Sequence, residues 1–409
     1  MKILFISHYF PPEVNAPANR TFEHARRWVA DGHEVTVITG VPNHPKGQIF
    51  PGYENRWIQE ERCDGIRVIR TWMYLTANEG FLRRTLNYVL FALAALAASL
   101  RVERPDVVVA TSPQFFVGIA GLAVARIKRR PFVLEVRDLW PESIVALGQL
   151  RPGPVLRALE AIESFLYRSA DGIVALTQAF VDHIRARGVP NDRIELVYNG
   201  IDHELFRPRP RDDELLDRNG VGGRFLAAYV GTLGLAHGLR TVLDAAERLA
   251  STPDVLLLLI GDGADREALE AEIAARSLGN VRLLGLRPRA EIPAWLASID
   301  CLLVLLRDLP VFETVIPSKL FEFLAQERPV VVAARGETRR MVSEAKAALV
   351  IDPEKGDQLA AAILEVRDHP ESAHGRAVSG REWVEAGFQR DELARRMAKF
   401  LERTVERRG

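Results

Sequence analysis

The stretch PGPVLRALEAIESFLYRSADGIVAL, residues 152–176, decides the fold. Its first part carries Leu156, Leu159, Ile162 and Leu166 at helical spacing, and its end, Ile173–Leu176, is a short apolar run of strand length. The same alternation extends both ways along the chain. Further apolar runs stand at Ile3–Ile6, Val35–Thr39, Val107–Ala110, Phe132–Val136 and Leu196–Tyr198 in the first half. In the second half they stand at Phe225–Val230, Val255–Ile260, Val281–Leu284, Leu302–Leu306, Val330–Ala333 and Ala348–Ile351. Strands that are apolar throughout, alternating with amphipathic helices, predict parallel sheets covered on both faces. Arg207–Arg211, RPRPR, resists helix and central strand alike and reads as a linker between two α/β domains of similar size.

Composition narrows the function. With 54 Lys+Arg against 54 Asp+Glu in 409 residues, and 48% hydrophobic residues, the chain can bury a large core and has no global attraction to nucleic acid. Cys63 and Cys301 form no CxxC pattern, so neither a zinc site nor a disulfide framework is signalled, and a reducing cytoplasmic compartment is expected. MKILFISHYFPPE lacks the signature of a signal peptide. The longest apolar run, Tyr88–Leu100, is shorter than the roughly 20 residues of a spanning helix. Arg83-Arg84 before that run and Arg126–Arg130 form local basic clusters, which suits a protein that is soluble or peripheral on a membrane.

The fold class invites dinucleotide binding, yet the first strand runs into SHYFPPEVNAPANR without a single glycine, so the backbone cannot approach a pyrophosphate there as a dehydrogenase requires. No GxxxxGK[ST], HExxH or GxSxG occurs. What remains is the set of loops at the carboxyl ends of strands, where open α/β sheets bind ligands.

Four segments read together. They are YVGTLGLAHGLRTVLDAAERL (229–249), IGDGADREALEAEI (260–273), NVRLLGLRPRAEIPAWLASIDCLLVLL (280–306) and ETVIPSKLFEFLAQERPVVVA (313–333). Preceded by VYNGIDHELF (197–206), their order resembles the retaining nucleotide-sugar glycosyltransferases of the GT-B fold, family four. HYFPPE and VRDLWPES in the first half agree, and PNHPKGQ (42–48) is similar to the bacterial surface-polysaccharide subgroup that includes N-acetyl-L-fucosamine transferases. The resemblance implies two Rossmann-like doubly wound domains facing across a cleft. Residues 1–206 would form the acceptor side and 207–385 the nucleotide-sugar side, with a helix in 386–409 packing back on the first domain.

Site residues follow from the chemistry and from the resemblance. Gly231-Thr232-Leu233-Gly234 sits between a strand and a helix, where free amides and a helix dipole can meet a phosphate, although a plain tight turn uses the same residues. Pro317-Ser318-Lys319 opens another helix, with Ser318 as its expected N-cap. By resemblance Glu322 accepts hydrogen bonds from the ribose and Leu286 belongs to the nucleotide-binding positions. The family pattern has a second Glu eight positions before Glu322; here Thr314 stands there, with Glu313 beside it. The family's basic pair for the diphosphate is replaced by Thr232 and His237, which leaves Lys319 to supply the positive charge. In the first half, Arg137-Asp138 matches a place near the transferred sugar, and Asn15-Ala16 stands where a small-residue loop touches the β-phosphate.

The expected reading is a transferase moving a sugar from a UDP-linked donor to a lipid-linked glycan at the inner membrane surface, without metal or other cofactor. Two alternatives stay open at this point. One is a nucleotide-sugar 2-epimerase of the same architecture. The other is a non-catalytic relative that only binds a partner.

Overall fold

The computed structural model describes residues 1–44, 47–76, 81–112, 115–146, 148 and 150–408. Pro45 and Lys46 of the PNHPKGQ stretch lie outside the described residues. The chain divides into two compact units: residues 1–198 together with the segment from Arg390 onward, and Asn199–Gln389.

Among the described residues the first unit is built on eight strands: β1 (Lys2–Ile6), β2 (Glu34–Gly40), β3 (Ile58–Cys63), β4 (Ile66–Thr71), β5 (Val107–Thr111), β6 (Phe132–Val136), β7 (Gly172–Ala175) and β8 (Ile194–Leu196). Their order is β3-β4-β2-β1-β5-β6-β7-β8, so the sequence of strands reverses direction between β1 and β5. The core strands β1, β5, β6 and β7 are buried at every position apart from Lys2 at the start of β1, as a sheet covered on both faces demands. Trp28 anchors one face. Its indole nitrogen donates to Ala394 O at 2.9 Å, and the helix Arg390–Glu406 closes that side with Leu393, Met397, Phe400 and Leu401.

The second unit has six parallel strands: β9 (Phe225–Val230), β10 (Val255–Ile260), β11 (Val281–Gly285), β12 (Cys301–Leu305), β13 (Val330–Ala333) and β14 (Leu349–Ile351), in the order β11-β10-β9-β12-β13-β14. The reversal falls between β9 and β12. Each unit is thus a doubly wound Rossmann-like sheet, and the place where open sheets of this kind bind ligands is the carboxyl end of the strands at that reversal.

Two expectations need correction. The first sheet is not wholly parallel, because β3 runs antiparallel to β4 in the register Ile58↔Thr71 to Cys63↔Ile66. Its turn is Asp64-Gly65 with φ of 48° and 80°, the two-residue hairpin loop whose twist matches that of the strands it joins. RPRPR, moreover, does not separate the units. The chain leaves the first unit at Tyr198, and residues 199–206 pack with the second because Ile201 pairs with Gln389 and donates to Phe388 O at 2.9 Å. Arg211 is held further inside the second unit by Asp300 at 2.6 Å.

Candidate functional site

In the second unit β9 ends at Val230, and Gly231 turns the chain with φ +135°, a conformation that side chains other than glycine's rarely adopt. A Cβ built on Gly231 would lie 2.7 Å from Lys319 Nζ, so the lysine reaches the turn only because that position is bare. Beneath this turn lies the one after β10. Gly261 has φ +143°, and a Cβ there would come within 1.9 Å of Gly231 O. The amides of Gly231 and Leu233 are consumed by this packing, donating to Ile260 O (2.8 Å) and Asp262 O (2.9 Å). Of the four amides expected to be free, those of Thr232 and Gly234 meet no acceptor among the described residues. The expected helix does not follow directly either. It begins at Arg240, after a nine-residue loop, so its dipole is not aimed from Gly234.

Lys319 stands on the facing element, the helix Ser318–Ala325. Pro317, extended at φ −61° and ψ 130°, occupies the cap position, and Ser318 is the first helical residue and not the N-cap. No side chain caps this helix, and the amides of Ser318 and Lys319 meet no acceptor among the described residues. Lys319 as a residue is partly exposed, but its ammonium nitrogen is buried and finds no hydrogen-bond partner among the described residues. It lies 3.6 Å from the centre of the Tyr229 ring, a cation–π contact at close range. Burial pulls the Lys319 ammonium down to about 7, against the opposing charge of Glu322 one turn further along the same helix. Tyr229 is oriented by its hydroxyl, which donates to Thr232 O at 2.8 Å.

His237 joins the group from the loop. Its ring packs on Tyr229 with centroids 5.5 Å apart, and Nδ1 lies 3.2 Å from Leu305 O at the end of β12. Burial, then the charge of Lys319, pushes its imidazole down to about 3, so at neutral pH it is an uncharged donor and not a second cation. Gly231, Thr232, His237 and Lys319 therefore converge around Tyr229, and Glu322 acts on Lys319 from one turn further along the same helix. Tyr229 itself escaped sequence reasoning, because an aromatic at the end of an apolar strand reads as core.

Other expected residues lie apart from this group. Leu286 is exposed beyond the end of β11. Thr314 closes its own 3-10 turn by donating to Val311 O (2.7 Å), while Glu313 is exposed and its carbonyl packs against Gly336. In the first unit Asn15 caps the helix Ala16–Ala30 by accepting from Ala18 N at 2.9 Å, which leaves Ala16 exposed at its first position. Arg137, just past the end of β6, donates to Pro17 O (3.4 Å) in the first turn of that helix. Burial raises the Asp138 carboxyl to about 6 against hydrogen bonds from Ser143 and the Leu139 amide. Among the described residues no group of three or more His, Cys, Asp or Glu is placed to hold a metal ion.

Two family models account for nearly the whole chain. Residues 15–200 match the glycosyl transferase 4-like domain, and residues 212–383 match the glycosyl transferases group 1. The chain belongs to the family-four glycosyltransferases of the GT-B fold. A putative colanic acid biosynthesis glycosyl transferase of Escherichia coli is 25% identical over 89% of this chain and 91% of the relative. A GDP-mannose-dependent α-mannosyltransferase of Mycobacterium tuberculosis is 27% identical over 94% of this chain and 93% of the relative. Among solved structures, sucrose-phosphate synthase from Thermosynechococcus elongatus superposes with a TM-score of 0.77 at 18% identity, covering 99% of both chains. HepE from Anabaena, solved with UDP and glucose, gives 0.73 at 18% identity over 98% of this glycosyltransferase and 99% of that chain.

Proposed function

We propose that this glycosyltransferase uses a nucleoside diphosphate sugar, UDP-linked in the first instance, and retains the anomeric configuration. The acceptor would be a lipid-linked glycan of a bacterial surface polysaccharide, with an N-acetylated hexosamine such as N-acetyl-L-fucosamine as the transferred sugar. The observation that carries the donor site is the buried Lys319 ammonium, which among the described residues meets aromatic surface but no acceptor at the strand reversal of the second unit. A diphosphate supplies the acceptors this group lacks, and charge-assisted hydrogen bonds to phosphate are the strong ones. The chemistry asks for little more than stabilising the departing diphosphate and orienting the nucleophile. Lys319 and the amides of Thr232, Gly234, Ser318 and Lys319 would do the first. The bacterial relatives support the polysaccharide assignment, and the mannosyltransferase relative favours GDP as a second reading for the base. The epimerase alternative finds no support in these relatives.

A panel of UDP- and GDP-sugars tested by thermal shift should show one class stabilising the protein by its ligation free energy. Donor turnover in the selected case should persist in EDTA, since the proposed charge balance needs no divalent cation. Activity lost in EDTA and restored by magnesium or manganese would overturn metal independence. If no nucleotide sugar stabilises the protein, the donor-site reading fails.

The lipid-linked acceptor requires approach to a membrane, although no described helix is long and apolar enough to cross one. The helices Phe81–Ser99 and Phe115–Lys128 pack side by side and contain no acidic residue. Leu86, Leu93 and Leu100 recur every seven residues and are 46%, 57% and 71% exposed, with Ile119 and Ile127 exposed on the neighbouring helix. Arg83, Arg101, Arg126 and Arg129 are exposed at the ends of these helices. An apolar stripe edged by cations suits an anionic lipid surface, where each basic residue contributes about 1 kcal/mol. Cosedimentation with anionic liposomes should fall sharply when Arg83, Arg84, Arg129 and Arg130 are replaced by Ser. Equal binding by variant and wild type would reject this surface.

A further inference from the structure

The surroundings of Lys319 bear on its protonation. A charged ammonium has three N–H donors, and among the described residues Lys319 places none of them on an acceptor. Its neighbours are easily named. From its own helix Glu322 favours the charged form, from β9 the Tyr229 ring faces it at 3.6 Å, and from the loop after β9 His237 stands beside it. Tyr229 stays neutral, because burial and the Asp265 charge raise its hydroxyl well above the usual range. His237 is neutral for the reason given above. Glu322 thus favours the charged form while burial works against it, and an ammonium without hydrogen-bond acceptors gives up its proton readily.

We infer that a nucleoside diphosphate binds to the neutral amine of Lys319 together with one proton from solution, so that donor affinity falls as the solution becomes more alkaline. The inference rests on the nucleotide-site reading above and adds a proton to its stoichiometry. The bound diphosphate brings two negative charges beside Nζ and holds the proton that burial had loosened. The sign follows. With the free amine titrating near 7 and the bound one well above, affinity is greatest below about pH 7 and declines by up to tenfold per pH unit above it. Above about pH 7 the phosphate is itself fully ionised, since its last proton leaves near pH 6, and takes no part in the uptake.

The test is titration calorimetry of the full chain with UDP at about pH 8, in phosphate-free buffers of low and high ionisation enthalpy. The observed enthalpy should vary with buffer by close to one proton taken up, and the dissociation constant should rise roughly tenfold from pH 8 to pH 9. Lys319→Arg, whose guanidinium stays charged, should bind UDP with no uptake and a flat pH profile. UDP binding by the wild type without proton uptake overturns the inference and leaves the nucleotide site standing. Unchanged uptake in Lys319→Arg overturns it too, assigning the proton to another group. Absence of binding by both UDP and GDP at every pH overturns the nucleotide site, and this inference with it.

Discussion

Lys319→Ala is expected to weaken binding of the nucleoside diphosphate about 10- to 100-fold while leaving the bare nucleoside nearly unaffected. A charged hydrogen bond contributes about 1.5–3 kcal/mol, and each 1.4 kcal/mol is a factor of ten. The full effect applies here because the ammonium is buried, so water does not screen it, and because His237 is neutral and Thr232 carries no charge, so neither family position supplies a second cation. If Lys319 formed only a surface pair with Glu322, its removal would cost a few tenths of a kcal/mol and no selectivity between nucleoside and diphosphate. Calorimetry with uridine and UDP at about pH 6.5, where the wild-type amine is charged, separates these outcomes. Equal losses for both ligands, or no loss, would remove Lys319 from the diphosphate site.

Arg20→Ala should strongly destabilise the first unit. Arg20 and Glu135 are 5% and 1% exposed, and their charges meet at 2.8 Å. Glu135 also accepts from Thr111 Oγ1 at 2.6 Å, while Arg20 donates to the carbonyls of Tyr198 (2.8 Å) and Val197 (3.0 Å), tying the exit of β8 to the helix Ala16–Ala30. Removing one partner of such a pair leaves the other buried charge without its direct counter-ion, at a cost of about 3–5 kcal/mol. That corresponds to a fall in melting temperature of roughly 6–20 °C for a unit of this size. Burial alone would push the Glu135 carboxyl up, but Arg20, Arg137 and Thr111 outweigh it and hold it below the usual range. The stability it contributes is therefore present above the unfolded-state pKa and lost as pH falls through the folded one. In Arg20→Ala the carboxylate loses one of these supports, so the deficit should be largest at neutral pH and shrink in acid. Adding Glu135→Gln to Arg20→Ala should recover part of the loss, since no charge is then stranded. A melting temperature within a degree of wild type would contradict this account.

How much of this was legible in the sequence depended on the range over which each signal acts. The parallel strands were, because burial on both faces makes Val107–Ala110 or Val255–Ile260 apolar at every position. The hairpin was missed because IQEERC lies at a sheet edge with polar residues on its open side, although Asp64-Gly65 marks the turn between its strands. Lys319 could be singled out from its place at a helix start beside Pro317 and Ser318. Its platform could not, because Tyr229 becomes informative only when the helix Ser318–Ala325 is folded against β9. The pairing of Arg20 with Glu135 spans 115 residues, and no local pattern announces it. Ser318 is not the cap because the extended residue is Pro317, one position earlier (φ −61°, ψ 130°), so the helix has already begun at the serine.

The helix Arg390–Glu406 imposes an order on synthesis. Residues 199–389 can close their core as soon as they leave the ribosome, whereas the layer formed by Phe5 and Val35 of the first sheet and Trp28 of the helix Ala16–Ala30 waits for Leu393, Met397 and Phe400. At about 5–20 residues per second, the roughly 190 intervening residues keep that apolar layer open for about 10–40 s. The half of the protein made first is therefore finished last, and it is the half that a chaperone would hold during translation. A stop after Gln389 would delete none of the site residues and still leave Trp28 without the carbonyl of Ala394 that its indole nitrogen requires.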